Sequence, residues 1–189
     1  MHNLFLSLLF FLLPFNFIDM QQSYETQPYQ VLEQIDNFEL RYYPPALKVK
    51  TTSPDPRLHF QKLFGYISGK NSSETKIAMT TPVYMQKEPN SSEMAFVLPS
   101  EMTLENSPIP KDTSVKVVKD PGGYFCSLRY GGYSNSTKEA QFTAELLRRI
   151  HEKNLTLKGN PWVLGYDSPF KFYQRTNEIL IQVESPYKE

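Results

Sequence analysis

Residues 38–51 read FELRYYPPALKVKT, and the fold follows from how this stretch divides. Phe38–Tyr43 and Leu47–Thr51 alternate apolar and polar side chains, with the aromatic and β-branched residues that suit a pleated surface. Pro44-Pro45 cannot continue a ladder, so the spacing predicts two strands joined at a bend or bulge. Downstream, Asp55 suits an N-cap and Pro56 the first helical position. Phe60, Leu63, Phe64 and Ile67 recur at i, i+3, i+4 and i+7, one face of a helix that Gly69 closes. Ile77–Met85 and Met94–Leu98 read as strands, and residues 106–112 as a loop.

The order then repeats. Val115–Lys119 and Tyr124–Tyr130 are strands around the turn Asp120-Pro121-Gly122-Gly123. A second helix opens at Ser136, with Glu139 completing a capping box, and buries Phe142, Leu146, Leu147 and Ile150. Trp162–Tyr166 and Glu178–Val183 follow as strands. Leu40-Arg41-Tyr42 matches Leu128-Arg129-Tyr130, and Thr81-Pro82 matches Ser168-Pro169, at nearly equal separations. The expected fold is α+β: one antiparallel sheet with two flanking helices, built from two pseudo-symmetric strand–helix–strand halves. One domain is expected over residues 24–189.

Composition narrows the function. A chain of 189 residues buries a full core without disulfides or metal. Twenty basic residues balance twenty acidic ones, which argues against a nucleic-acid binder, since phosphate neutralisation needs a cationic field. One cysteine, Cys126, excludes an internal disulfide and any cysteine-rich metal site. No G-x-S-x-G, H-E-x-x-H, P-loop or G-x-G-x-x-G is present, so no enzyme activity is assigned.

Leu4–Ile18 (LFLSLLFFLLPFNFI) has no charge. It is shorter than a bilayer span and fits a signal-peptide core, so residues 1–22 are expected to be a signal peptide, with an N-terminal anchor as the alternative. Sequons at Asn71, Asn90, Asn135 and Asn154 agree with a glycoprotein on the secretory route; in a bacterium the address would be periplasmic.

Of the three histidines, His2 leaves with the leader, His151 falls on a solvated helix face and His59 on the margin of an apolar one. Cys126 reads as a buried small hydrophobe. The first helix is more informative, because Arg57, Phe60, Phe64 and Ile67 share one sector of its wheel. A guanidinium heading an aromatic stripe suits a flat apolar ligand with a carboxylate. Taken alone, the stripe favours core packing with Arg57 snorkelling at its edge.

Six fragments resemble, in order, the SOUL haem-binding protein family. They are Gln30-Val31-Leu32, FELRYYPP (38–45), HFQKLFGYISGKN (59–71), KIAMTTPV (76–83), LRYGGY (128–133) and GYDSP (165–169). The resemblance runs from about Tyr29 to Val183. It implies a distorted β-barrel of two pseudo-symmetric halves, each with a helix outside. It also implies non-covalent binding, sequestration or transport of haem and other porphyrins by a monomer with no nucleic-acid partner and no membrane partner for the mature domain. The positions matching the family's ligand patch are Arg57, Phe60 and Phe64, with Ile67 beside them. Where one branch places an iron-binding histidine, this chain has Tyr42, so no metal ligand is assigned beyond Tyr42 as a weak candidate. The resemblance leaves two alternatives: a small-molecule-binding domain hydrolysing a strained electrophile with Glu39, Glu139 or Glu178, or a ligand-free interaction module.

Overall fold

The computed structural model describes residues 24–88 and 91–187. The expected signal peptide and the sequon at Asn90 lie outside them. The strands are β1 (Glu25–Thr26), β2 (Gln30–Ile35), β3 (Phe38–Tyr43), β4 (Ala46–Ser53), β5 (Thr80–Thr81), β6 (Val83–Glu88), β7 (Ser91–Val97), β8 (Val115–Asp120), β9 (Gly123–Gly131), β10 (Trp162–Gly165) and β11 (Thr176–Val183). The helices are α1 (His59–Ile67) and α2 (Ser136–Glu152).

Local chemistry sets the helix ends. Asp55 Oδ1 accepts the Arg57 N–H at 3.0 Å, and Pro56 opens a 3-10 turn, Pro56–Leu58, that runs into α1. Gly69, at φ +108°, turns the chain away where the Lys70 N–H reaches back to the Gly65 carbonyl. α2 corrects the expected capping box: Asn135 is the cap, its Oδ1 accepting the Lys138 N–H at 3.0 Å. Glu139 binds Ser134 and Lys87 instead.

Nine strands form one strongly curled antiparallel sheet in the order β2-β3-β9-β11-β10-β6-β7-β4-β8; β1 and β5 make a small parallel pair. Read outward from the central β10–β6 pairing, β11, β9 and β3 mirror β7, β4 and β8. The two halves are therefore present, with α1 over β4, β7 and β8 and α2 over β9 and β11. The short identities do not mark equivalent positions, however. β9 corresponds to β4, not to β3, because β3 has crossed over to pair with β9 and β8 has crossed to pair with β4.

The expected bend at Pro44-Pro45 joins β3 to β4, and the Pro121-Gly122 turn joins β8 to β9 opposite it. Tyr43 faces Gly123 on one side of the bend and Ala46 faces Asp120 on the other. Gly122 is required there: its φ is +72°, and a Cβ would lie 2.2 Å from the Tyr43 carbonyl oxygen.

Strand alternation sorts the core into faces. Outside, Phe38, Leu40, Cys126, Leu128, Ile179 and Ile181 pack under Leu146 and Ile150 of α2. Also outside, Leu47, Val49, Phe96 and Val115 pack under Leu63, Tyr66 and Ile67 of α1. Inside the curl, Tyr43, Tyr84, Phe125, Leu164 and Leu180 form a third cluster. Among the described residues, all three draw on positions 29–183. Burial pushes the Cys126 thiol up to about 12, which keeps it an inert core residue.

Candidate functional site

α1 lays Leu63, Tyr66 and Ile67 against the sheet and turns Phe60 and Phe64 outward. Phe60 is 45% and Phe64 49% exposed. Their rings lie 5.7 Å apart and 12° from parallel, an offset stacked pair that presents one exposed apolar patch. The edge contact of Phe60 with Phe96, at 5.5 Å, fixes that patch to β7. Arg57 stands at the head of the helix with an exposed side chain, but it is engaged. Asp55 holds Nε and Nη2 at 2.9 Å each, and the Arg57 hydrogen bonds bring the Asp55 carboxyl down to about 2.

Ile67 is buried in the core beneath α1 and offers a ligand no surface. Tyr42 lies on β3, half-buried against Tyr124 of β9 at 5.3 Å, whereas α1 lies over β4, β7 and β8. The structure brings Arg57, Phe60 and Phe64 together and leaves Tyr42 elsewhere. His59, read as marginal, is buried at 1% exposure, and that burial lowers its pKa.

The inside of the curl holds a charged network that the sequence reading missed. Arg41, 1% exposed, donates to both oxygens of the fully buried Glu178 at 2.7 and 2.9 Å, to Glu39 at 2.7 Å and to the Tyr43 hydroxyl at 3.0 Å. Its guanidinium also lies 4.1 Å above the Tyr29 ring. Glu178 accepts further bonds from the Tyr166 hydroxyl at 2.9 Å and from Arg129 at 3.1 Å. Burial alone would raise the Glu178 pKa; Arg41, Tyr166 and Arg129 together outweigh it and hold the carboxyl below its ordinary value. The available signal was the alternation on β3, which puts Glu39, Arg41 and Tyr43 in one row and Phe38 and Leu40 in the other.

Of the three candidate carboxylates, Glu139 is tied to Ser134 and Lys87 on the helix side. Glu39 and Glu178 both face the network. Every Glu178 oxygen is engaged by a cation, so this carboxylate is poor equipment for a general base. A separate cavity of about 350 Å³ opens beside the Pro44-Pro45 bend, between the start of β4 and the loop after β7, lined by Leu47, Leu98, Met102, Leu104 and Lys119 among others.

The sequence model described as SOUL heme-binding protein matches residues 24–182. The chain belongs to the SOUL haem-binding protein family. Among curated SOUL relatives, Heme-binding protein 2 of Mus musculus is 31% identical over 188 residues, covering 89% of this chain and 91% of the relative. Heme-binding protein 1 of Sus scrofa is 29% identical over 177 residues, covering 83% and 92%. Among solved structures, a hydrolase from Listeria innocua superposes with a TM-score of 0.59 at 12% identity over 81% of this chain and 94% of that one. The EcmrR C-terminal domain superposes with a TM-score of 0.54 at 17% identity over 82% and 98%. At such identities these two likenesses show the fold alone.

Proposed function

We propose that this SOUL-family chain binds haem and related tetrapyrroles non-covalently, laying the macrocycle on the Phe60–Phe64 face of α1. The observation that carries the reading is that pair: two half-exposed rings at 12° on a helix whose other apolar residues are buried. A porphyrin is a large planar apolar surface, and covering it gains roughly 25 cal/mol per Å². Arg57 leaves Asp55 to meet a propionate, an exchange of one exposed ion pair for another that is nearly neutral in free energy. With Tyr42 on another strand, α1 supplies ring contacts and no axial ligand, so affinity depends little on the metal.

Such binding suits sequestration or transport. It agrees with the expected secretory route of residues 1–22, for which glycan attachment to the exposed Asn135 or Asn154 is the marker. Asn71 is a poor acceptor once folded: it is buried and its Nδ2 donates to the Tyr66 and Thr75 carbonyls at 2.9 and 2.7 Å.

The test is quenching of Trp162 fluorescence by haemin and by metal-free protoporphyrin. Both are expected to bind with similar affinity, and Phe60→Ser with Phe64→Ser weakens both by about tenfold or more through lost apolar contact. Haemin binding a hundredfold tighter than the free base would mean a strong axial ligand and refute the metal-independent reading. The cavity beside the Pro44-Pro45 bend supports a second reading, since its volume lies in the range of small-molecule pockets. Loss of binding in Leu98→Trp, with the Phe60/Phe64 double variant unaffected, would move the ring there.

A further inference from the structure

The loop between β10 and β11 presents aromatic side chains to solvent that the haem reading does not use. Phe170 is 91% and Phe172 77% exposed; Tyr173, 5.3 Å from the Phe172 ring, and Tyr133 of the neighbouring β9–α2 loop are exposed too. Exposed apolar side chains are ordinary when scattered singly, but a cluster of them marks a contact surface.

Their exposure is built in rather than a result of slack backbone. The Arg175 guanidinium donates to the Ser168 and Lys171 carbonyls at 2.7 and 2.6 Å, closing the loop from beneath. Asp167 accepts from Lys171 Nζ at 2.6 Å and from the Thr176 N–H at 2.5 Å. The Ser168 hydroxyl and carbonyl accept the Phe170 and Lys171 N–H groups. The Gly132 N–H donates to the Arg175 carbonyl and Asn177 donates to the Gly132 carbonyl, which ties the Tyr133 loop alongside. Arg175 also stacks 4.7 Å from the Tyr133 ring. A braced loop thus holds two benzyl groups at its tip.

Charge says what the tip meets. Lys171 and Arg175 belong to the loop itself, and Lys138 donates to the Gly131 carbonyl at the foot of the neighbouring loop. The acids nearby are spent: Asp167 is 11% exposed, paired with Lys171 and bonded to the Thr176 N–H, and Glu139 is 18% exposed and paired with Lys87, which leaves Lys138 and Arg175 with no acidic partner among the described residues. The surface is therefore an exposed apolar tip, flanked by tyrosines, with an excess of positive charge at its base. A protein partner would need a matching pocket for Phe170, whereas a bilayer interface needs none. Aromatic residues at headgroup depth with cations around them are what anionic lipid surfaces favour.

We propose that the Ser168–Arg175 loop seats peripherally on membranes carrying anionic lipids, with Phe170 and Phe172 entering the headgroup–acyl boundary. No described helix is long and apolar enough to cross a bilayer, so the contact is one of attachment, not spanning. The family resemblance implied no membrane partner for the mature domain, and a two-phenylalanine tip is too short to register as an apolar run in the sequence.

The experiment is co-sedimentation of the chain from Tyr24 onward, the span that the family model matches and that holds all three core clusters, with vesicles of phosphatidylcholine alone or with about a third phosphatidylserine. Partition onto the anionic vesicles is expected, falling with added salt. Phe170→Ser with Phe172→Ser should lower it about tenfold or more, as two buried benzyl groups are lost. Phe60→Ser with Phe64→Ser should leave it unchanged, which separates this surface from the tetrapyrrole site. A Phe170→Trp variant should gain a vesicle-dependent blue shift in emission. Failure of the wild type to partition onto either vesicle, partition unmoved by the double loop variant, or no blue shift overturns the proposal. A soluble protein that binds the wild type but not the loop variant, while vesicles bind neither, would replace the membrane with a protein partner.

Discussion

Asp55 is the residue whose role changed most between sequence and structure. As a helix cap it needs only one acceptor, which it gives to the Arg57 N–H; its second function is to occupy the Arg57 side chain. With its pKa brought to about 2 by Arg57, it stays anionic at every pH where the protein would meet a ligand, and it competes with any incoming carboxylate. Asp55→Asn keeps the cap acceptor and removes the competitor. It should tighten binding of protoporphyrin, with its two propionates, by about two- to fivefold, the scale of an exposed ion pair, and leave a carboxylate-free porphyrin unaffected. Parallel fluorescence titrations with the two ligands check this. Equal gains for both would show that Asp55 acts through the helix and not through charge.

At the scale of elements, the interior network is a tie between strands. Arg41 on β3 and Glu178 on β11 are not hydrogen-bond neighbours in the sheet; β9 lies between them and adds Arg129. Arg41→Met leaves Glu178 buried opposite a half-exposed Arg129 and should cost about 3–5 kcal/mol in urea denaturation, while Arg41→Met with Glu178→Leu recovers most of it. Because Glu178 titrates below its ordinary value of 4.5 when folded, its contribution is present above that pH and is lost as pH falls through the lowered value. Glu178→Gln should therefore flatten the acid limb of a stability–pH curve measured by thermal melting.

The same elements show what a sequence makes legible. The helices, the Pro44-Pro45 bend and most strands follow from period and breakers, because those signals are local. β2 escaped because its alternation is weak: Val31 and Ile35, on a sheet edge, remain exposed. The Phe60–Phe64 face was legible as a stripe, and its family resemblance chose between core and ligand. What no local pattern encodes is which way the stripe turns, since that depends on where β4 and β7 lie beneath it. The Arg41 network was hidden for a like reason: its partners are 137 positions apart in the chain.

The crossed strands belong to the whole molecule. β3, from the first half, completes the sheet of the second, and β8 returns the exchange. A single proteolytic cut in the loop between β7 and β8 should therefore leave two fragments that co-elute in native size exclusion and part only in denaturant. Fragments that separate without denaturant would show that the crossing contributes little. During synthesis the arrangement imposes a wait: the emerging N-terminal portion can form α1 and the β4, β7 and β6 ladder, but β3 has no neighbour on its inner side until β9 leaves the ribosome. A chain so interlaced completes its charged interior last, when the final strand delivers Glu178 to an arginine that has stood without it since β3 was made.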